Sequence, residues 1–149
     1  MGNKITDINI KRQDDFNKIN LDSQKNGAFK HPIFSSIEMN IHGSCNRRCA
    51  FCPRVDEELY PNLDEYLSIE FFEKILNELK QNQYKGRMGF SGFSEPLLHK
   101  EIVSLVKLYK KYLPNNRLEI VTNGDFLEEE LAKKLFDSGL YNIRVSLYT

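Results

Sequence analysis

The sequence lacks long hydrophobic runs and a net charge. No apolar stretch approaches the ~20 residues that a bilayer-spanning helix needs, and the N-terminus has neither the basic start nor the cleavage site of a signal peptide. The 21 basic residues balance the 21 acidic ones, so no overall field favours nucleic acid or an anionic membrane. These absences predict a folded cytoplasmic protein without a membrane or nucleic-acid partner.

Cysteine is also scarce, and its placement is informative. All three cysteines, Cys45, Cys49 and Cys52, fall within eight residues. An odd number of cysteines this crowded makes a poor disulfide framework. A reducing compartment leaves them available as thiolates, so metal ligation is the leading prediction for this segment.

Hydrophobic periodicity divides the chain into two parts. Residues 1–33 are polar and are predicted to be an N-terminal appendage, whereas residues 34–149 are predicted to form one α/β domain. Alternating patterns predict the strands and three- and four-residue spacings predict the helices, with Ser68 capping the first helix and Gly139 ending the third. The predicted strands lie near 37–42, 88–91, 118–122 and 143–147, and the helices near 69–81, 102–109 and 127–138.

The alternation of strands and helices restricts the architecture. Such strands run parallel through right-handed crossovers, which leaves an open doubly wound sheet or part of a β/α barrel. In both architectures, chemistry collects at the C-terminal ends of the strands. Four unusual sequences lie there: the cysteine loop, residues 91–96, residues 122–124 and the region of Ser146. We therefore expect these four loops to form one site.

The first strand leaves the choice of architecture open. Apolar residues at 37, 39 and 41 alternate with Glu38, Asn40 and His42. If the polar side chains face inward, the strand lines the polar lumen of a barrel. If they face water, the strand lies at the edge of a sheet.

The cysteine spacing favours an iron–sulfur cluster over zinc. Thiolates spaced C-x3-C-x2-C can ligate three irons of a [4Fe–4S] cluster and leave the fourth iron open. Structural zinc sites generally take four Cys or His ligands in two separated pairs. In a zinc site, His42 or His99 would have to supply the fourth ligand.

These motifs together resemble the radical S-adenosylmethionine (SAM) superfamily. The resemblance rests on Cys45, Cys49 and Cys52 with the aromatic Phe51 between them, and on the segments 92–96 and 122–124. It is similar to members with C-terminal cysteine-rich extensions of the SPASM type. The resemblance implies a partial (β/α) barrel, of which this chain contains about four of the six β/α units.

The resemblance also implies the cofactors and the reaction. Cys45, Cys49 and Cys52 match the ligands of a [4Fe–4S] cluster that binds SAM and cleaves it reductively. The resulting 5′-deoxyadenosyl radical abstracts hydrogen from a substrate, here unknown, such as a peptide, a sugar or an aminocyclitol. An electron donor such as flavodoxin or ferredoxin is implied as a partner.

Seven further residues match SAM-binding positions of the family. Phe51 matches a residue near the adenine, and the segment with Gly92 and Glu95 matches the part that binds the methionine ammonium. Ser94 stands where many members have a second glycine. The remaining matches, near bound SAM and its ribose or carboxylate, are Thr122, Asn123 and Ser146.

The later β/α units of the family core, which complete the SAM site and most of the substrate pocket, have no counterpart in the 149 residues. A longer protein, a truncated gene or a partner chain would each explain this. An alternative function is therefore a non-catalytic metal-binding or interaction module derived from the same fold. The flanking arginines Arg47, Arg48 and Arg54 could favour the reduced, more anionic cluster or a negative partner, but they are predicted to be solvated loop charges.

Overall fold

The computed structural model describes residues 34–147, together with residues 14, 17 and 18, which are helical. Most of the predicted appendage at residues 1–33 lies outside the described residues. The strands are β1 (Ser36–Met39), β2 (Arg87–Phe90), β3 (Leu118–Thr122) and β4 (Asn142–Val145). The helices are α1 (Ile69–Gln81), α2 (Ile102–Tyr112) and α3 (Glu129–Asp137). Two short 3-10 turns, Pro53–Val55 and Pro96–Leu98, follow the first two strands.

The four strands form one parallel sheet in the order β1-β2-β3-β4. Each strand pairs with the next one in the sequence, so the strand order shows no reversal of the kind that a doubly wound sheet requires. Right-handed crossovers between neighbouring strands place successive helices on the same face of the sheet. The predicted α/β class with parallel strands is confirmed, and its sequential order is that of a partial barrel.

The core lies between this face of the sheet and the helices. Met88 and Phe90 on β2, with Leu118 and Ile120 on β3, are completely buried. Phe72 of α1 packs edge-on against Phe90, with ring centroids 5.7 Å apart. Burying side chains of this size stabilises the fold by roughly 1.5–3 kcal/mol each. The sheet and helices are therefore held as one unit from which the strand ends project.

The ends of the helices follow their local sequence. Ser68 Oγ accepts a hydrogen bond from Phe71 N at 3.2 Å and caps α1, as predicted. Gly139, at a φ of +95°, follows α3 with the left-handed conformation that glycine adopts without strain. None of the described helices is long and apolar enough to cross a bilayer.

The opposite face of the sheet is polar. Glu119 is 6% exposed and lies between Arg87 Nη1, at 3.1 Å, and Arg144 Nη2, at 3.6 Å. Strand β1 is at one edge of the described sheet and ends at Met39, and Glu38 and Asn40 are exposed. Strand β1 therefore lies at the edge of the described sheet, and these two polar side chains are exposed.

Candidate functional site

The cysteine loop follows β1 at the C-terminal end of the sheet. Its three thiols are free and half-buried. The loop folds back on itself, because Cys52 N donates to Cys49 O at 2.9 Å, and the turn Pro53–Val55 continues this fold. The sequence thereby presents three sulfur ligands from one compact segment.

Three cysteines in one loop are donors of the type that iron–sulfur clusters take. Among the described residues, no three His, Cys, Asp or Glu side chains converge on one ion position. In a [4Fe–4S] cluster, each of the three thiolates would bind a different iron and leave the fourth iron open. For the zinc alternative, His99 has both ring nitrogens engaged, with Leu67 O at 2.9 Å and Glu101 N at 3.1 Å.

A buried arginine fixes the far end of this loop. Arg54 is 4% exposed, so the prediction that it is a solvated charge is wrong. Its guanidinium donates to Gly43 O at 2.7 Å, to Pro61 O at 3.1 Å and to Asn62 Oδ1 at 2.8 Å, and also to Phe93 O. It also stacks over the Tyr60 ring at 4.7 Å. One side chain therefore joins the cysteine loop to the loop that follows β2.

A second connection joins the cysteine loop to the loop after β3. The Asp125 carboxylate accepts from Asn46 Nδ2 at 2.7 Å and from Arg47 Nε at 2.8 Å, and it forms an ion pair with the Arg47 guanidinium. The hydrogen bond from Arg47 holds the pKa of Asp125 below its usual range, and the same bond raises the pKa of Arg47. Both groups are therefore charged at neutral pH.

Glu95 lies at the centre of the three loops. It is 2% exposed, and its carboxylate accepts from Thr122 Oγ1 at 2.7 Å, Asn123 N at 2.9 Å and Leu97 N at 3.0 Å. Its own backbone N donates to Ser44 O at 3.0 Å. Glu95 is therefore not a solvated loop carboxylate but a buried group that ties the loops after β2 and β3 together.

Gly92 makes a close approach possible beside Glu95. Its φ is +115°, and a Cβ added there would lie 2.4 Å from Asn40 Oδ1. Ser94, 9% exposed, donates its hydroxyl to the same oxygen at 3.1 Å. Asn40, at the end of β1, thus packs directly against the segment predicted to bind the methionine part of SAM.

We expect Gly92→Ala to lower the free energy of unfolding by about 1–3 kcal/mol, because its backbone conformation is strained for any L-residue. Gly89→Ala is the matched control: the nearest atom to its added Cβ is Ser91 Oγ at 3.5 Å, an ordinary contact. The control should be neutral or slightly stabilising, since alanine loses less entropy on folding. Urea unfolding of the two variants measures both free energies of unfolding. Equal losses of stability in Gly92→Ala and Gly89→Ala would contradict the assigned strain.

The other predicted residues lie around the same edge. Thr122 is 2% exposed and donates to Glu95, and Asn123 Nδ2 donates to Asn46 Oδ1 at 2.7 Å. Ser146 directly follows β4, and its backbone N donates to Thr122 O at 2.8 Å. Phe51 lies between the second and third cysteines and is 66% exposed. The structure therefore brings the four strand-end loops to one edge.

Four residues of this site were not predicted as site residues from the sequence: Asn40, Asn46, Arg54 and Asp125. The alternation of the first strand predicts Asn40 only as a lumen-facing or edge residue, although its position near the C-terminal end of that strand is a signal for the site. The partners of Arg54 and Asp125 lie far along the chain, with Arg47 and Asp125 separated by 78 residues. A sequence pattern does not indicate contacts over such separations.

The fold and the site define a parallel α/β protein in which a loop with three cysteines lies beside the buried Glu95 network at the strand ends. The model of the radical SAM superfamily matches residues 39–149. The chain belongs to the radical SAM superfamily, as its motifs predicted.

Relatives and solved structures agree with this family. The chain is 31% identical over 120 residues to the S-adenosyl-L-methionine-dependent 2-deoxy-scyllo-inosamine dehydrogenase of Niallia circulans, covering 76% of this chain and 45% of the relative. It is 35% identical over 112 residues to a GTP 3′,8-cyclase of Nautilia profundicola, covering 74% and 34%. The crystal structure of BtrN in complex with AdoMet and 2-DOIA superposes with a TM-score of 0.71 at 30% identity, covering 76% and 45%.

These relatives are enzymes by name, and they are named for different reactions. The chain spans less than half the length of each of these relatives. The chain thus shares its family and fold with these relatives. Their reactions are those of longer proteins, and the chain matches only one part of each.

Proposed function

We propose that this chain binds a [4Fe–4S] cluster through Cys45, Cys49 and Cys52 and binds SAM at the adjoining strand ends. We propose that it acts as an enzyme, or as part of one, that starts radical chemistry on a substrate. The observation that carries this proposal is the buried Glu95 network, which joins the loops after β2 and β3, with the Glu95 backbone bonded to the cysteine loop. Free thiols and SAM-binding motifs therefore belong to one connected site.

A cluster held by Cys45, Cys49 and Cys52 would supply the electron that cleaves SAM into methionine and a 5′-deoxyadenosyl radical, and this radical would take a hydrogen atom from the substrate. The chain's own residues position the reactants. Arg54 and Asp125 fix the two sides of the cysteine loop, and Asn40 supports the segment around Gly92. Preorganised geometry of this kind lowers the entropic cost of bringing reacting groups together.

We propose that Glu95 supplies negative charge to the methionine end of SAM while its oxygens stay bonded to the protein. Its three donors are neutral groups, and none of the described basic side chains forms an ion pair with it. A buried carboxylate without a cationic partner favours a nearby ammonium group. Gly92 and Ser94 offer the close backbone approach, and Phe51, Thr122, Asn123 and Ser146 are proposed to line the rest of the SAM site.

The substrate and the reductant stay open within this proposal. The two named relatives act on different molecules by name, so neither substrate is transferred to this chain. A peptide, a sugar or an aminocyclitol would suit the reaction type, and a flavodoxin or ferredoxin would deliver the electron. Reduced thiols and a low-potential cluster are consistent with a cytoplasmic location.

Anaerobic reconstitution with iron and sulfide, followed by electron paramagnetic resonance of the reduced protein, tests the proposal. We expect a [4Fe–4S] signal that changes when SAM is added. Cys49→Ala should lose the cluster almost completely, because one of three iron ligands is removed. Ser104→Ala, on the exposed side of α2, is the control and should keep it.

Two outcomes would contradict the proposal. A colourless protein that binds zinc instead of iron would favour the non-catalytic metal-binding module. A cluster whose spectrum does not change when SAM is added would show that the strand-end loops described above do not form a SAM site by themselves.

A further inference from the structure

The sulfur of Cys45 accepts weak hydrogen bonds from two N–H groups. Asn123 Nδ2 lies 3.9 Å from Cys45 Sγ, and Arg47 N lies 3.5 Å from the same atom. One donor comes from the cysteine loop itself, and the other comes from the loop after β3. Hydrogen bonds to cluster sulfurs are among the determinants of iron–sulfur reduction potentials.

The orientation of the Asn123 side chain is set by its neighbours. Its Oδ1 accepts from Asp125 N at 3.0 Å, so its Nδ2 is the end that faces Cys45 and Asn46. Its backbone N donates to the buried Glu95 carboxylate at 2.9 Å. The amide that approaches the sulfur is therefore held from both sides rather than free to rotate.

Asp125 controls the charge on the other side of the loop. Its carboxylate binds the guanidinium of Arg47. Arg47 lies between Cys45 and Cys49 in the sequence. While this ion pair is intact, the positive charge of Arg47 is largely neutralised beside the thiolates. Without Asp125, that positive charge would favour the more negative, reduced state of a cluster bound there.

We propose that Asn123 and Asp125 are positioning residues that tune the reduction potential of the cluster in opposite directions. This inference rests on the proposed function. Asn123 raises the potential by donating to the Cys45 sulfur. Asp125 lowers it by neutralising Arg47. The loop after β3 thus adjusts the electron transfer as well as supporting the SAM site.

Redox titration of the reconstituted full chain, monitored by electron paramagnetic resonance, tests this inference alongside iron and sulfide analysis. Asn123→Leu removes the donor without adding charge, whereas the isosteric Asn123→Asp replaces the donor with a negative carboxylate. Both should shift the midpoint potential to more negative values, and Asn123→Leu isolates the contribution of the hydrogen bond. Asp125→Asn should shift it to more positive values. Shifts of opposite sign from residues two positions apart are not expected from loosening of the loop alone.

Two controls match these substitutions. Glu130→Gln removes one exposed carboxylate on α3 that pairs with Lys134, and Asn115→Leu replaces an exposed amide at the opposite end of the sheet. Neither should move the potential.

The inference is overturned if Asn123→Leu and Asn123→Asp keep the wild-type potential at full iron content. It is also overturned if these variants and Asp125→Asn only lose iron, with the remaining cluster at the wild-type potential. A wild-type cluster that responds to SAM in those experiments would leave the proposed function standing. A wild-type chain that takes up no cluster would overturn both.

Discussion

Replacing Arg54 with methionine should lower the free energy of unfolding by about 3–5 kcal/mol. Methionine keeps much of the side-chain length but removes every donor, so the carbonyls of Gly43, Pro61 and Phe93 lose a buried partner. Hydrogen bonds from a charged donor contribute about 1.5–3 kcal/mol each, and the losses within one network are not additive. The loss of stacking on Tyr60 adds to the effect.

Arg48→Met is the matched control for this prediction. Arg48 lies in the same segment and carries the same charge, but its side chain is 40% exposed. It pairs with the exposed Glu57 and makes a single hydrogen bond to a backbone carbonyl, Arg54 O at 3.0 Å. Surface ion pairs are worth about 0–1 kcal/mol. Urea unfolding of the reduced, cluster-free protein should separate the two variants clearly. Similar losses in both would mean that the Arg54 contacts do not hold the loop.

Replacing Glu95 with glutamine should weaken SAM binding at least tenfold, which is about 1.4 kcal/mol, while the reconstituted protein keeps its iron. Glutamine preserves the size of the side chain but removes the negative charge. Its Nε2 group also takes the place of one acceptor oxygen, so it opposes either the N–H of Asn123 or the donors of Leu97 and Thr122. Calorimetric titration of SAM into the anaerobic protein measures the affinity.

Thr122→Val separates charge from packing in this test. Valine removes the hydroxyl that donates to Glu95 but leaves the carboxylate charged. We expect a loss of stability of about 1–2 kcal/mol and a smaller loss of SAM affinity than Glu95→Gln causes. If Glu95→Gln bound SAM as tightly as the wild-type chain, the placement of Glu95 near the methionine end would be wrong.

Local sequence patterns predicted the elements of the fold because each element is determined mainly by nearby residues. The run Leu118–Thr122 is predicted as a strand and is strand β3 to the residue, with four of its five residues buried. Ser68 supplies a hydroxyl cap before an amphipathic repeat, and α1 begins directly after it. Strand β1 is shorter than its alternation predicted, because Ile41 and Gly43 instead bond to Leu67, Glu65 and Leu63 of a crossing segment.

The candidate site was predictable only in part. The three cysteines and the segment with Gly92 and Glu95 stand close together in motifs, so the sequence alone indicated a cluster and SAM. The supporting residues had no such signal. Arg54 looks like any other loop arginine until folding places Phe93, 39 residues away, against its guanidinium. The roles of these supporting residues follow from three-dimensional proximity and not from spacing along the chain.

The separation of the cysteines from their supports has a consequence for biosynthesis. Arg47, beside Cys45, precedes Asp125 by 78 residues, which a ribosome translates in roughly 4–16 s. During that interval the three thiols have already been made, but the side chains that orient their loop do not yet exist. Metal delivered early would meet a loop without its β3 partner, whereas metal delivered late would meet a fixed one. The timing of cluster insertion therefore decides whether the cluster binds to the three cysteines alone or to cysteines that their scaffold already holds in place.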